Sequence, residues 1–171
     1  MKIYLAGFDV FRKDAVEHGE RLREACLRHG FVGLYPMDNK LPSALHGRAL
    51  AQWIYQANIE LIKAADFVVA NLNPFRGSEP DSGTSFEVGY AIALGKSVWA
   101  YIDDEKTLVE PLTGHQAEAG KNYVDENGFI IEDFDLPLNL MLGASVHIVA
   151  GDAAECIRAL GRSVWGVYPP A

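Results

Sequence analysis

The chain has 171 residues, of which 49% are hydrophobic and 22% charged, a mix typical of one soluble globular domain. Its net charge of −8, without a basic cluster, argues against nucleic acid or an anionic membrane as a partner. No apolar run approaches a membrane span, and Asp9 makes the first apolar run a poor signal peptide. Cys26 and Cys156 lie within helical patterns and are interpreted as reduced cysteines, so we expect a cytoplasmic protein.

Strand and helix patterns alternate along the chain. Short apolar runs predict strands at 2–6, 31–35, 67–72, 98–102 and 146–149. Helical spacing predicts helices at 15–29, 44–65, 84–94 and 153–160, and Gly30 is a good stop for the first. The run at 67–72 is apolar throughout, as in a sheet buried on both faces. Five strands with helical crossovers predict a single α/β domain over 1–171, an open, doubly wound parallel sheet of the flavodoxin-like type.

The region 103–135 differs from the rest because it is polar and carries Gly114, Gly120 and Gly128. A long excursion of this kind inside a compact domain is usually functional. It is therefore predicted to be a lid or an insert that contacts another subunit.

The most informative segment is 79–91, in which two carboxylates, Asp81 and Glu87, flank a turn that opens a helix. Pro80 and Gly83 mark the turn. A carboxylate pair suits glycosyl chemistry, because one group attacks the anomeric carbon while the other handles the proton of the leaving group. The same residues also match a capping box that starts at Thr84, in which Glu87 only bonds the backbone of its own helix. Both interpretations are open at this point.

Topology favours the functional interpretation. In open parallel sheets, ligands bind outside the carboxyl ends of the strands. Residues 7–11, 38–39 and 73–83 follow the first three strands, and Glu87 lies just beyond the last of these loops. The carboxylate pair is thus expected at the binding edge, a position that a purely structural capping box does not require.

Several stretches carry a resemblance to a known family. They read IYLAG at 3–7, PMDN at 36–39, NLNPFRGSEPDSGTSFEVG at 71–89 and LPLNLML at 136–142. Together they resemble the nucleoside 2-deoxyribosyltransferase family over residues 1 to about 150. The long string at 71–89 is far more specific than a short motif.

The resemblance implies an enzyme that cleaves the N-glycosidic bond of a 2'-deoxynucleoside and passes the sugar to another base with retention of configuration. Glu87 matches the nucleophile that forms a covalent glycosyl ester. Asp81 matches a carboxylate that contacts sugar or base and handles the base proton. Tyr4 matches a tyrosine whose hydroxyl holds the nucleophile, although a strand tyrosine also packs in cores.

Further residues are candidates for substrate binding. Asn58 stands where some relatives carry a third aspartate, and an amide cannot act as a general acid. Phe8, rather than Phe11 or Trp53, is expected to stack on the base, because it follows the first strand directly. Asn139 matches a residue that reaches the sugar of a neighbouring subunit, but asparagine is also a common helix cap. The predicted substrate-binding set is Gly7, Phe8, Asp38, Asn58, Gly83, Asn139 and Met141.

The expected partners are 2'-deoxynucleosides, free nucleobases and further copies of the chain, in an oligomer built from dimers and as large as a hexamer, with shared active sites. No cofactor is expected, since the sequence has no dinucleotide or P-loop motif, and its histidines lack metal-ligand spacing. Two alternatives remain. A deoxynucleoside 5'-monophosphate N-glycosidase carries serine in place of Asp81, and a non-catalytic nucleotide sensor would need no such carboxylates.

Overall fold

A computed structural model describes residues 1–110 and 123–166 of the chain. Five parallel strands form one sheet in the order β2-β1-β3-β4-β5. Their bounds are β1 Lys2–Ala6, β2 Val32–Leu34, β3 Phe67–Asn71, β4 Ser97–Ile102 and β5 His147–Ala150. The predicted open, doubly wound sheet is thereby confirmed, and the crossover between β1 and β3 creates the crevice where such sheets bind ligands.

Five α-helices cover the two faces of this sheet. They are α1 Ala15–Arg28, α2 Gly47–Ala64, α3 Ser82–Ala93, α4 Leu140–Gly143 and α5 Ala153–Trp165. Helices α1 and α5 pack together on one face, and α2 packs against α3 on the other. Short 3-10 turns at Phe8–Phe11 and Pro36–Asp38, which the sequence pattern did not predict, follow β1 and β2.

The alternation of side chains along the strands divides the buried residues into two cores. Ile3 and Leu5 of β1 belong to the core under α1 and α5, whereas Tyr4 and Ala6 belong to the core under α2 and α3. The tyrosine of the first strand therefore faces the helices that carry Asn58 and Glu87. Because successive side chains of β1 point to opposite faces of the sheet, Tyr4 lies on the same face as Asn58 and Glu87.

Helix α3 begins at Ser82, two residues earlier than predicted. The reason is that Asp81 is the helix N-cap, with its Oδ2 accepting from the backbone N–H of Thr84 at 2.9 Å. The capping box starting at Thr84 is therefore wrong, because Thr84 already lies inside the helix. Glu87 lies in the second turn, where its carboxylate is free for other contacts.

The insert predicted at 103–135 falls partly on 111–122, which lies outside the described residues. Its described remainder includes an antiparallel bridge between Val124 and Ile130. The Phe129 and Ile130 side chains are exposed there. The role of this segment as a lid or subunit contact stays a prediction. None of the helices in the described ranges is long and apolar enough to cross a membrane.

Candidate active site

A cavity of about 400 Å³ opens at the carboxyl edge of the sheet, between the turn after β1 and the start of α3. The predicted residues that line it are Gly7, Asn58, Asp81, Gly83 and Glu87. Most of the remaining wall is apolar and includes Val10, Met37 and Leu41. An apolar cavity with a few convergent polar groups is the usual form of a small-molecule site.

Glu87 is held from behind by the first strand. The hydroxyl of Tyr4, a fully buried side chain, donates to Glu87 Oε1 at 2.6 Å, and Asn58 Nδ2 lies 3.4 Å from the same oxygen. Both hydrogen bonds that the described residues make to this carboxylate end on Oε1. The second oxygen, Oε2, is left for a ligand in the cavity.

Burial raises the pKa of Glu87 to about 7, and the nearby charge of Asp81 adds to the rise. The hydrogen bonds from Tyr4 and Asn58 act in the opposite direction, because they favour the charged form. Burial, with the glutamate close by, raises the pKa of Tyr4 well above its usual range, so its hydroxyl remains a donor. The carboxylate thus ionises near neutral pH, where it can act as a base or a nucleophile.

Asp81 caps helix α3 and also lines the cavity. Its Oδ2 accepts from the backbone N–H and the hydroxyl of Thr84, at 2.9 and 3.0 Å. Oδ1 accepts no hydrogen bond from the described residues, and the residue lines the same cavity as Glu87. A single aspartate therefore caps the helix and lines the site.

Asn58 brings a buried acceptor to the wall of the cavity. Its Oδ1 is inaccessible and has no hydrogen-bond partner among the described residues. A buried polar atom without a partner costs free energy. Asn58 lines the cavity, and its part in substrate binding stays a prediction.

The structure does not bring Phe8 to this cavity. The Phe8 ring stacks on Phe75 at 4.6 Å and borders a different pocket, whereas Phe11 and Trp53 line the cavity itself. The reason is the 3-10 turn at Phe8–Phe11, which points successive side chains to different sides. Sequence reasoning placed this loop at the site but set Phe11 and Trp53 behind Phe8. The 3-10 geometry of the turn is the signal that would have favoured Phe11, whereas Trp53 lies on α2.

Asp38 also points away from the cavity. Its carboxylate pairs with Arg23 of α1 and accepts from the backbone N–H of Tyr35 at 3.1 Å. Its neighbours Met37 and Asn39 line the cavity instead. The residues on either side of Asp38, rather than Asp38 itself, therefore bring this loop to the cavity.

Asn139 and Met141 lie beyond α3, in a second pocket that they share with Ser85 and Ile92. Asn139 caps α4 by accepting from the backbone N–H of Met141 at 3.0 Å, and its amide donates to Glu132 at 3.0 Å. Within one chain these two residues do not reach the cavity that holds Glu87. The Met141 side chain is 73% exposed.

Among the residues that the structure describes, no group of three or more histidine, cysteine, aspartate or glutamate side chains is arranged to hold a metal ion.

The structure is a parallel α/β fold in which a glutamate bonded by a tyrosine lies at the edge where such sheets bind ligands. Comparisons with known proteins show the family to which the chain belongs. Residues 3–141 match the family described as nucleoside 2-deoxyribosyltransferase. The chain therefore belongs to that family. An uncharacterized protein from Schizosaccharomyces pombe is 30% identical over 120 residues, which are 68% of this chain and 57% of that one. The chain thus spans little more than half the length of this curated relative.

Solved structures agree. A 2-desoxiribosyltransferase from Leishmania mexicana superposes with a TM-score of 0.74 at 33% identity, covering 94% of this chain and 97% of that one. A 2-deoxyribosyltransferase from Bacillus psychrosaccharolyticus gives 0.61 at 20% identity over the whole of both chains. A CMP N-glycosidase from Clostridium botulinum gives 0.51 at 15% identity over 96% of this chain and 99% of that one. The last two likenesses show the fold alone.

Proposed function

We propose that this protein transfers the 2-deoxyribosyl group of a 2'-deoxynucleoside to another purine or pyrimidine base through a glycosyl ester on Glu87. One observation carries the proposal: Tyr4 holds Oε1 of Glu87 from behind, while Oε2 is left toward a mostly apolar cavity. Membership of the family and the likeness to the Leishmania enzyme support the substrate class.

In the first half-reaction, Glu87 Oε2 attacks C1' of the bound sugar. A C–O bond forms, the N-glycosidic bond breaks, and its electron pair leaves with the base. Asp81 lines the same cavity and is the group placed to exchange a proton with the departing base. In the second half-reaction a different base attacks C1' and gives up its N–H proton to Asp81; a new N-glycosidic bond forms, the ester C–O bond breaks, and Glu87 is regenerated as a carboxylate. Two displacements retain the configuration at C1'.

Tyr4 has a defined part in this cycle. Its hydroxyl fixes the rotamer of Glu87, and it donates to the carboxylate that is consumed and reformed. Because the Tyr4 pKa lies far above neutrality, the tyrosine remains a donor throughout the pH range of interest. The apolar wall keeps water from the ester, which favours transfer over hydrolysis.

The reaction is tested by incubating the protein with deoxyadenosine, with and without a second base, and separating the products by chromatography. New deoxynucleoside that forms only when the acceptor base is present supports transfer. Free base without new nucleoside would indicate a hydrolase, and no change in either incubation would contradict both. Without acceptor, mass spectrometry of the protein should find one deoxyribosyl group on the peptide that contains Glu87.

We further propose that Asn139 and Met141 complete the site of a neighbouring copy of the chain. Support comes from the family resemblance of 136–142 and from the exposed Met141 side chain. Glu87→Ala and Asn139→Ala proteins should then regain activity when their subunits are exchanged, because some mixed sites contain both intact residues. Confirmed exchange without any regained activity would exclude a contribution of Asn139 in trans.

A further inference from the structure

A second buried carboxylate, Asp9, lies in the turn that borders the cavity. It is 5% exposed. Its Oδ2 accepts from Asn71 Nδ2 at 2.9 Å and from the Tyr101 hydroxyl at 3.2 Å. His18 Nε2 lies 3.2 Å from Oδ1, close enough for an ion pair although without the geometry of a hydrogen bond. Both hydrogen bonds of this carboxylate end on Oδ2, and His18 is the nearest side chain given for Oδ1.

The contacts of Asp9 tie several elements to one point. His18 comes from α1, Asn71 ends β3, and Tyr101 belongs to β4. Asn71 Oδ1 in turn accepts from the backbone and side-chain amides of Asn73, and Asn73 Oδ1 accepts from the backbone N–H of Asp103 at 2.7 Å. The network therefore joins the segments that follow β1, β3 and β4 at the carboxyl edge of the sheet.

The turn at Phe8–Phe11 separates this network from the active-site cavity. Val10 and Phe11 line the cavity with Glu87, whereas Phe8 and Asp9 line a pocket on the side of α1 and α5. Packing fixes the start of the turn as well. A Cβ on Gly7 would come within 2.8 Å of Asp9 Oδ2 and 2.9 Å of the Asn71 side chain. The turn is thus held tightly against the end of β3.

We propose that Asp9 is a positioning residue for the proposed transfer reaction: it fixes the Phe8–Phe11 turn, and through it the cavity wall opposite Asp81 and Glu87. The side chain of Asp9 bonds this short turn to Asn71 of β3 and Tyr101 of β4. Misplacement of a substrate-positioning wall by 1 Å can cost about 10²-fold in rate. For its kinetic readout the inference rests on the proposed function.

A buried carboxylate with two hydrogen bonds can also serve stability alone, and the two roles predict different results. Loss of a purely stabilising group lowers the melting temperature but leaves the turnover of the folded protein unchanged. Loss of a positioning group lowers kcat in protein that remains folded. It also loosens the turn locally, which amide hydrogen exchange detects without any substrate.

Three variants and one control separate these roles. Asp9→Leu removes both acceptor oxygens, so Asn71 Nδ2 and the Tyr101 hydroxyl lose the acceptor that they share. In Asp9→Asn the side-chain oxygen still accepts from both, and the amide nitrogen faces His18. Tyr101→Phe removes a single donor and guards against failure of Asp9→Leu to fold. Asp14→Leu is the matched control, because Asp14 is an exposed carboxylate bonded to the side chains of Arg12 and Arg21.

For Asp9→Leu we expect kcat to fall by about 10²-fold with KM changed less than about threefold. Exchange of the amides at 8–12 should rise at least about tenfold over that of Asp14→Leu. Asp9→Asn should keep most of the wild-type kcat, and Tyr101→Phe should lie between the two. Full kcat in folded Asp9→Leu, or an Asp9→Asn protein as impaired as Asp9→Leu, would overturn the proposal.

Failure of the proposed function is recognised separately. If wild-type protein transfers no deoxyribosyl group, the reaction is refuted, and hydrogen exchange then decides the role of Asp9 alone. Unchanged exchange at 8–12 in Asp9→Leu and Tyr101→Phe would refute the positioning of the turn, whatever the activity of the wild type.

Discussion

The two faces of the sheet carry similar groups with different surroundings. On the α2 and α3 face, Glu87 accepts from the hydroxyl of Tyr4 and lies 3.4 Å from an asparagine amide. On the α1 and α5 face, Asp9 accepts from the hydroxyl of Tyr101 and from an asparagine amide. Both tyrosines come from strands, and both carboxylates lie at the carboxyl edge.

The difference is in what each carboxylate borders and what it joins. The protein contacts of Glu87 in the described residues end on one oxygen, and the carboxylate borders a mostly apolar cavity. The hydrogen bonds of Asp9 join its turn to β3 and β4, and His18 lies 3.2 Å from its other oxygen. A carboxylate with a free oxygen at an apolar cavity is available for chemistry, whereas one that joins a turn to two strands is suited to fixing the backbone around it. Residue type alone does not distinguish the two.

The largest effect is expected from removal of the reactive carboxylate. Glu87→Gln keeps the size and the hydrogen-bonding capacity of the side chain but is a far weaker nucleophile, so kcat/KM for deoxyribosyl transfer should fall by at least about 10³-fold. Circular dichroism and thermal unfolding should show an intact fold. Turnover within tenfold of the wild type would contradict the assignment of Glu87 and make the two faces functionally alike.

The two tyrosines sharpen the comparison through pH. Since the pKa of Glu87 is about 7, kcat/KM should rise with pH through that value as the carboxylate ionises. Tyr4→Phe removes a bond that favours the charged form, so this limb should move to higher pH by about one unit. Tyr101→Phe, the matched change on the other face, should leave the limb in place. Equal shifts in both variants would show that the effect does not arise from the bond to Glu87.

Much of the site could be predicted from the sequence, because its main determinants are local. The carboxyl-edge rule brought Asp81 and Glu87 to one edge of the sheet, and the family resemblance added Tyr4. The direction of loop side chains could not be predicted, since it depends on turn geometry and on distant partners. Phe11 rather than Phe8 lines the cavity because of a 3-10 turn, and Asp38 turns toward Arg23 of α1.

The choice of substrate should respond to the charge of Asp81. This carboxylate would repel a 5'-phosphate by about 1 kcal/mol or more at about 4 Å, so the nucleoside should be the better substrate of the wild type. Asp81→Ser and Asp81→Asn both keep an N-cap for α3 while removing the charge. The ratio of kcat/KM for deoxyadenosine to that for its monophosphate should fall about fivefold in both variants. A wild type that prefers the monophosphate would support the N-glycosidase alternative.

The smallest effect concerns stability. The pKa of Glu87 in the folded protein, about 7, lies above its ordinary value of 4.5. Protonation of Glu87 therefore contributes stability that is fully present below about pH 4.5 and is lost as the pH rises through about 7. Glutamine cannot ionise, so Glu87→Gln avoids this loss. At pH 8.5 the variant should have a free energy of unfolding about 1–2 kcal/mol above the wild type.

The gain should shrink as the pH is lowered, and it should vanish near pH 4, where the wild-type side chain is neutral as well. Urea unfolding at several pH values measures it, with Glu79→Gln as the control. Glu79 is exposed, and its replacement should change stability by less than about 0.5 kcal/mol at any of these pH values. A helix-capping role for Glu87 would give the opposite sign, a loss of about 0.5–2 kcal/mol on replacement. A free carboxylate at an apolar cavity is kept at a cost in stability, and a gain on its removal is the thermodynamic sign of that cost.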